Sequence, residues 1–197
     1  MTGEWAFALV LFALATSLTP GPNNVMLMTS GVNFGFRRTM PHMVGVSLGF
    51  ALMVLLVGLG LGAVMAAFPL FQIALKYVGA AYLLYLAWRI ASAEPSLAGG
   101  RSSRPMSFVE AALFQWVNPK AWAMAVGAIV AYVPSNGVLW NVVLVALIFA
   151  LVNLPSVGVW ALFGTALRPL LTRPAAMRAF NVAMALLLVL SLYPILA

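Results

Sequence analysis

Long runs of apolar residues fill most of the chain, and short polar stretches separate them. Most of these runs reach about 20 residues, the length that an α-helix needs to cross the hydrocarbon core of a bilayer. The pattern therefore predicts an all-α membrane protein with six transmembrane helices. The predicted spans are 4–29, 41–66, 70–90, 107–132, 138–166 and 174–196.

Composition agrees with a membrane location. Of 197 residues, 64% are hydrophobic and 7% are charged, whereas soluble domains carry roughly 25% charged residues. The amino-terminal segment contains Glu4 and lacks the Lys or Arg that opens a secretory signal, so we expect it to be the first membrane helix and not a cleaved leader. The whole chain, 1–197, is predicted to be a single transmembrane domain with one sizeable connection, the loop 92–106.

Charge predicts the orientation of the helices. The net charge of +7 and the pI near 10.6 would also suit a nucleic-acid binder, but the basic residues lie singly or in pairs between apolar runs, so we expect no nucleic-acid partner. Basic short loops are typical of the cytoplasmic side of a membrane. Both termini are therefore predicted to lie outside the cytoplasm. The basic residues of the three loops are Arg37, Arg38, Arg89, Arg101, Arg104, Arg168, Arg173 and Arg178.

The first predicted span is interrupted by a polar motif. Its residues are Thr19, Pro20, Gly21, Pro22, Asn23 and Asn24. Two prolines remove backbone donors and clash with the preceding turn, so the helix must break or kink. Freed backbone groups at membrane depth are tolerated where they line a wet cavity, and the start of a new half-helix attracts a carboxylate. The alternative is a packing kink whose Asn side chains bond to neighbouring backbone.

A second break is predicted in span four, at Asn118, Pro119 and Lys120. Lys120 lies about 18–20 Å from either end of the span, at 1.5 Å per residue, which is too far for its side chain to reach the surface. An intramembrane cation indicates a functional site by default. The alternative is a structural cation bound by the opened carbonyls of the first helix. Trp116 and Trp122 could wall the same cavity or simply pack.

The two breaks lie about half a chain apart, which indicates an internal repeat. Two halves of three helices each, 1–91 and 107–197, would face opposite ways across the bilayer. Such a 3+3 inverted repeat is frequent in secondary transporters, and helices one and four are the broken ones here. The predicted site thus combines polar groups from two broken helices.

Three other polar positions are candidates. Asn153 begins a predicted third break, 153–156, which either contributes to the site or is a packing kink. Glu110 and His42, near the cytoplasmic face, are the obvious titrating groups if transport is proton-coupled. The plainer interpretation is that Glu110 complements a helix start and His42 is solvated. Glycines four apart in span two, such as Gly45 and Gly49, are predicted to form a packing face.

The sequence gives little support for enzyme activity or for metal binding. The chain has no nucleophile elbow, zinc-protease motif or phosphate-binding loop, so we expect no catalytic residue and no cofactor. Three acids, one His and no Cys supply too few ligands for a selective metal site. A small-molecule transporter is the favoured class. An inorganic-cation exporter and a membrane assembly protein without transport are the alternatives.

Specific motifs carry a resemblance to a known family. They are Leu18-Thr-Pro-Gly-Pro-Asn-Asn24, Gly35-Phe-Arg37, Gly45-Val-Ser-Leu-Gly-Phe50, Gly79-Ala-Ala-Tyr-Leu-Leu-Tyr-Leu-Ala-Trp88 and Phe114-Gln-Trp-Val-Asn-Pro-Lys120. With them the chain resembles the LysE/RhtB superfamily of bacterial amino-acid exporters over nearly its whole length, and looks nearest to the cysteine/O-acetylserine exporter branch.

The resemblance implies six helices in the bacterial inner membrane and export of amino acids or close derivatives. Because no buried acid is available as a counter-ion for a cationic side chain, a neutral substrate of the cysteine, O-acetylserine or threonine type is expected. The partners expected are this substrate and the lipid bilayer, and a homo-oligomer is left open.

Overall fold

The computed structural model describes residues 3–93, 104–134 and 138–193, and every regular element in these ranges is helical. Nine α-helices are described there, together with a π-helical turn at Val57–Leu61 and two 3₁₀ turns at Gln115–Val117 and Arg168–Leu170. The helices are α1 (Gly3–Leu18), α2 (Pro22–Phe34), α3 (Phe36–Leu56), α4 (Gly62–Ala67), α5 (Pro69–Ala91), α6 (Phe108–Phe114), α7 (Pro119–Tyr132), α8 (Val138–Leu167) and α9 (Pro174–Leu190). Glu94 and Arg101 lie outside the described residues, as does the end of predicted span six.

The predicted break in the first span is present between α1 and α2. The two helices are bent by 59° relative to each other. Gly21 is fully extended, with φ −173° and ψ 179°, and Pro22 occupies the first position of α2, where its missing N–H is not needed. Two prolines flanking one extended residue therefore end one helix and begin the next.

Helix α2 continues to Phe34, five residues beyond the predicted end of span one. Its polar residues do not end it because they bond along the helix: the Thr29 hydroxyl donates to the Val25 carbonyl at 2.8 Å, and the Asn33 amide donates to the Thr29 carbonyl at 2.9 Å. Gly35, with a φ of 79°, makes the turn into α3. The polar end of this apolar run is thus helical, not a loop.

The predicted break in span four is also present, between the 3₁₀ turn after α6 and the start of α7. Ser107 caps α6 in a capping box with Glu110. Asn118 then leaves the helical conformation, with φ −91° and ψ 108°, and its side-chain oxygen accepts the Lys120 backbone N–H at 3.2 Å. Pro119 stands at the first position of α7, so the Asn-Pro pair ends one half-helix and caps the other.

The predicted break at 153–156 is wrong, because α8 runs without interruption through Pro155. A single proline removes one backbone hydrogen bond, to the carbonyl four residues earlier, and neighbouring turns can absorb that loss. The breaks at Gly21 and Asn118 each combine a proline with a residue that adopts an extended conformation, and α8 has no such residue at this point.

The glycines of span two serve two purposes. A Cβ on Gly45 would lie 2.3 Å from the Phe108 carbonyl oxygen, and one on Gly49 would lie 2.5 Å from the Ala112 Cα, so the predicted packing face is confirmed against α6. Gly60 differs, because it has a φ of 116° inside the π-helical turn and nothing within 4 Å of an added Cβ. It separates α3 from α4.

Close contacts define two ends of the helical bundle. At one end, the Trp5 indole at the start of α1 donates to the Tyr132 carbonyl at the end of α7, at 3.1 Å. At the other end, an added Cβ on Gly35 would lie 3.4 Å from the Arg168 guanidinium. Because α1 begins where α7 finishes, and Lys120 at the start of α7 bonds to Thr19 just past the end of α1, these two helices run in opposite directions.

By length and apolar composition alone, three helical runs within the described residues could cross a membrane, namely Phe36–Ala67, Pro69–Ala91 and Val138–Leu170. The bent pair α1 and α2 brings the number to four if it counts as one span. Phe108–Val117 and Pro174–Leu190 are shorter apolar helices. The described part of this strongly apolar chain therefore has helices as its regular elements, several of them of membrane-crossing length.

Candidate functional site

The two helix breaks meet around one small polar cavity in the middle of the bundle. It has a volume of about 20 Å³, which is room for one water molecule. Six of the predicted site residues line it, namely Gly21, Asn23, Asn24, Asn118, Lys120 and Asn153. Pro20, Pro22 and Pro119 shape the backbone beside it. The predicted convergence of the two breaks is therefore present, and α8 adds Asn153 although its helix is unbroken.

The Lys120 side chain crosses the first break. An added Cβ on Gly21 would lie 2.7 Å from the Lys120 Cδ and 3.2 Å from its Nζ, so only a glycine leaves this path open. The ammonium donates a hydrogen bond to the Thr19 carbonyl, just past the end of α1. The carboxyl end of a helix favours a cation. Within the described residues no carboxylate is paired with Lys120.

A reciprocal amide pair connects the two broken helices. The Asn23 amide donates to the Gln115 side-chain oxygen at 2.8 Å, and the Gln115 amide donates back to Asn23 at 3.2 Å. Gln115 is fully buried and also donates to the Ala111 carbonyl at 2.8 Å. Sequence reasoning missed Gln115, although a lone glutamine in an apolar run, three residues before Asn118, was a visible signal.

Asn24 holds the carbonyls that the first break exposes. Its amide donates to the Ser17 carbonyl at 2.9 Å and to the Thr19 carbonyl at 2.8 Å, and the side chain is buried. This is the backbone-bonding role that the alternative interpretation gave to the Asn residues. It applies to Asn24, whereas Asn23 bonds across to the other broken helix.

Asn153 presents an unused hydrogen-bond acceptor. Its amide donates to the Ser17 hydroxyl at 3.1 Å, but its buried side-chain oxygen has no partner among the described residues. A buried, unpaired oxygen of this kind costs about 1–3 kcal/mol. Because Asn153 lines the cavity with Lys120, the cavity offers one cationic donor and one free acceptor. Ser17 is the second residue that sequence reasoning missed.

Glu110 and His42 do not line this cavity. Glu110 lies at the start of α6, where both of its oxygens accept 2.7 Å bonds from Arg104. This pairing raises the pKa of the Arg104 guanidinium above its ordinary value. The interpretation of His42 as solvated is wrong, since its side chain is 1% exposed. Helix α3 starts five residues before the predicted position, so His42 lies inside the packed helix.

The two tryptophans line a different cavity. Their rings are 6.1 Å apart in an edge-to-face arrangement, and the Trp122 indole donates to the Trp116 carbonyl at 2.8 Å. They face a space of about 700 Å³ between α7 and the segment α4–α5, where Lys76 is the charged lining residue. The Trp pair therefore lines this large space and is not among the residues that line the polar cavity with Lys120.

An apolar helical protein in which two broken helices meet at buried polar groups has the features of a secondary transporter. The chain matches the LysE type translocator family over residues 14–191 and belongs to that family. Within the described residues, no group of three or more His, Asp or Glu could hold a metal ion.

Named relatives cover nearly the whole chain. It is 35% identical, over 96% of its own length and 96% of theirs, to proteins named cysteine/O-acetylserine efflux protein in Escherichia coli strain K12, Escherichia coli O1:K1 / APEC and Shigella sonnei strain Ss046. No solved structure matches the chain.

Proposed function

We propose that the protein exports small neutral amino acids or close derivatives, of the cysteine, O-acetylserine or threonine type, from the cytoplasm by secondary transport. The observation that carries the proposal is that Lys120 and Asn153, whose buried side-chain oxygen has no partner within the described residues, line the same polar cavity. A zwitterion needs one group of each kind: a cation for its carboxylate and an acceptor for its ammonium. The names of the relatives point to the same class of substrate.

The substrate carboxylate would take the place that the Thr19 carbonyl now has on Lys120. The same carboxylate would face the start of α2. The first backbone hydrogen bond of this helix runs from the Val25 N–H to the Gly21 carbonyl at 3.0 Å, so the backbone N–H groups of Asn23 and Asn24 lie before it. A helix start is a favourable place for an anion. The proposed binding residues are thus Gly21, Asn23 and Lys120, with Thr19, Pro20, Pro22, Asn24, Asn118, Pro119 and Asn153 shaping or completing the site.

Binding requires the cavity to open, because about 20 Å³ does not admit an amino acid. Contacts on the α2–α8 side are tight: an added Cβ on Gly164 would lie 2.1 Å from the Met28 carbonyl oxygen, and one on Gly31 would lie 2.2 Å from the Ala161 carbonyl oxygen. The 700 Å³ space lies on the α4–α5 side. We propose that the described conformation is an occluded state of the transport cycle.

A neutral substrate follows from the shortage of acids. The chain has three Asp or Glu residues in all, and none of the residues lining the polar cavity is acidic. The cationic side chain of lysine or arginine would therefore lack a counter-ion, and burying it unpaired is costly. The hydroxyl, thiol or acetyl group of a small neutral amino acid needs no such partner.

The proposed architecture is one domain of six spans in a 3+3 inverted repeat. In addition to the helices that are long enough alone, α6 with α7 and the bent pair α1 with α2 each make one broken span, and α9 makes the sixth. The opposite directions of the two broken spans support the inversion. The proposed location is the bacterial inner membrane, with both termini outside the cytoplasm.

This topology can be tested cleanly because the chain has no cysteine. Single cysteines introduced at Glu4 and Arg173 should be labelled by an impermeant maleimide from opposite sides of intact cells and inside-out vesicles. Labelling of Glu4→Cys from the cytoplasmic side would contradict the orientation. Size measurement of the purified protein in detergent would show whether a homo-oligomer forms.

Glu110 and His42 are the proposed groups for proton coupling at the cytoplasmic end. Uptake into inside-out vesicles with and without a pH gradient would show whether transport is coupled. We expect Glu110→Gln or His42→Gln to reduce the gradient-dependent part of uptake. If both variants keep the full response to the gradient, these two groups do not couple protons.

Substrate class is tested by uptake of O-acetylserine, threonine and arginine into inside-out vesicles. We expect uptake of the two neutral compounds and little uptake of arginine. A clear preference for arginine would overturn the proposed class. Full transport by Lys120→Leu would show that the cation is unnecessary for transport, and absence of uptake for every compound in the panel would favour a membrane assembly role.

A further inference from the structure

A second polar cavity lies at the basic end of the bundle, where α2, α3 and α5 meet the segment before α6. Its volume is about 90 Å³, several times the space that one water molecule needs. Polar and charged residues on its lining include Ser30, Asn33, His42, Arg89 and Arg104. It shares no lining residue with the cavity at the helix breaks.

His42 is the unexplained group in this cavity. It is 1% exposed, and neither ring nitrogen has a hydrogen-bond partner in the part of the chain that the structure describes. A neutral imidazole carries one donor and one acceptor, and leaving them unpaired costs about 1–3 kcal/mol for each group. The nearby hydroxyls do not satisfy it, because Ser30 and Thr39 bond to each other at 2.8 Å.

The charges on the cavity favour a carboxylate. Arg104 is already committed to Glu110 through two bonds of 2.7 Å. Arg89 has no carboxylate partner within the described residues; its guanidinium lies 5.8 Å from the centre of the Tyr85 ring. Within the described residues, Arg89 is thus without a carboxylate partner, and it lines the same cavity as His42, whose imidazole can donate a hydrogen bond.

Helix α2 links the two cavities. Asn23 lines the one at the helix breaks, and Asn33 lines the one at the basic end. Ten residues of α-helix span about 15 Å, so the two cavities lie a short distance apart along α2. The basic end is also the end that the charge pattern assigns to the cytoplasm, where an exported compound begins its path.

We propose that this cavity is a second substrate site, in which Arg89 and the His42 ring bind the carboxylate of the amino acid before it reaches Lys120. Asn33 also lines the cavity, and because its amide nitrogen donates to the Thr29 carbonyl and to Asn181, it would contact the rest of the solute through its side-chain oxygen. The inference rests on the proposed function, since the ligand is the exported zwitterion itself.

The chain contains a single histidine, which makes a direct test feasible. Protein labelled with ¹⁵N-histidine, purified without a polyhistidine tag and placed in lipid nanodiscs, should give the signals of one imidazole. Titration with O-acetylserine should shift these signals in a saturable way. The shift should persist in Lys120→Gln and disappear in Arg89→Gln, whereas Arg37→Gln, which alters an exposed arginine outside the cavity, should leave it intact.

Transport kinetics supply a second measurement. In inside-out vesicles, Arg89→Gln should raise the KM for O-acetylserine by about tenfold or more, the value of one lost charge-assisted contact, with little change in kcat. Arg89→Lys should recover part of the loss. A merely structural role for Arg89 would lower kcat or the amount of folded protein instead.

The outcomes separate this inference from the proposed function. The second site alone would be overturned if uptake of O-acetylserine depended on Lys120 while the His42 signals did not shift and the KM of Arg89→Gln was unchanged. Absence of uptake or binding for every amino acid in the panel would overturn both proposals.

Discussion

The amide pair between Asn23 and Gln115 offers a quantitative test of how the two broken helices are joined. We consider Asn23→Leu, Gln115→Met and the double variant, in which apolar side chains of similar size replace the amides. Each single variant leaves the remaining amide without its partner, whereas the double variant removes both amides together. The free energies of unfolding should therefore not be additive.

The magnitude follows from the two hydrogen bonds, at 2.8 and 3.2 Å. Interhelical hydrogen bonds in membrane proteins couple by about 0.6 kcal/mol each on average and by about 1.7 kcal/mol at most. Two of them predict a coupling of about 1–3 kcal/mol between Asn23 and Gln115. Gln115→Met should be the more destabilising single change, because Gln115 is fully buried and also loses its bond to the Ala111 carbonyl.

The assay is reversible unfolding in mixed micelles, with the free energy extrapolated to the absence of denaturing detergent. Gln72→Met is the matched control, since Gln72 is exposed and bonds only to the Met65 carbonyl in the preceding helix. It should change stability by less than Gln115→Met and should be additive with Asn23→Leu. Additivity of Asn23→Leu and Gln115→Met within about 0.5 kcal/mol would refute the proposed joint between the helices.

Two glycine substitutions carry further predictions. Gly21→Ala should displace Lys120 from the Thr19 carbonyl, because the new Cβ would lie 2.7 Å from the Lys120 Cδ, and uptake should fall about tenfold or more. Gly127→Ala, whose Cβ would make an ordinary 3.7 Å contact, should leave uptake unchanged; equal effects would contradict the steric argument. Gly164→Ala should destabilise the protein by about 1–3 kcal/mol, because its Cβ would overlap a backbone carbonyl oxygen at 2.1 Å; unaltered unfolding would contradict that packing.

The helix breaks were predictable because their causes are local. Pro20 and Pro22 cannot donate backbone hydrogen bonds, and Asn118 before a proline is biased away from the helical conformation. These effects act whatever the rest of the chain does. The same reasoning failed at Pro155, because one missing hydrogen bond in a long helix can be absorbed by its packed neighbours.

The residues that form the site, and the hydrogen bonds between them, could be predicted only in part. Periodicity and chain position indicated that Lys120 and the asparagines would meet, but they carried no information on which side chain bonds to which. Gln115 and Ser17 were missed because a single polar residue in an apolar run has many explanations until its partner is located. The burial of His42 depended on where α3 starts. Pro41 indicated a helix start at that residue, but a proline is also tolerated within the second turn of this helix, which begins at Phe36.

The claim at the centre of this account is that Lys120 binds the carboxylate of the exported amino acid at the meeting point of the two broken helices. The most direct measurement compares the affinity of the purified protein for its best substrate with the affinity for the corresponding carboxamide, in wild type and in Lys120→Gln. The account predicts that the wild-type protein prefers the carboxylate by about tenfold or more, and that Lys120→Gln loses this preference. An undiminished preference in Lys120→Gln would contradict it.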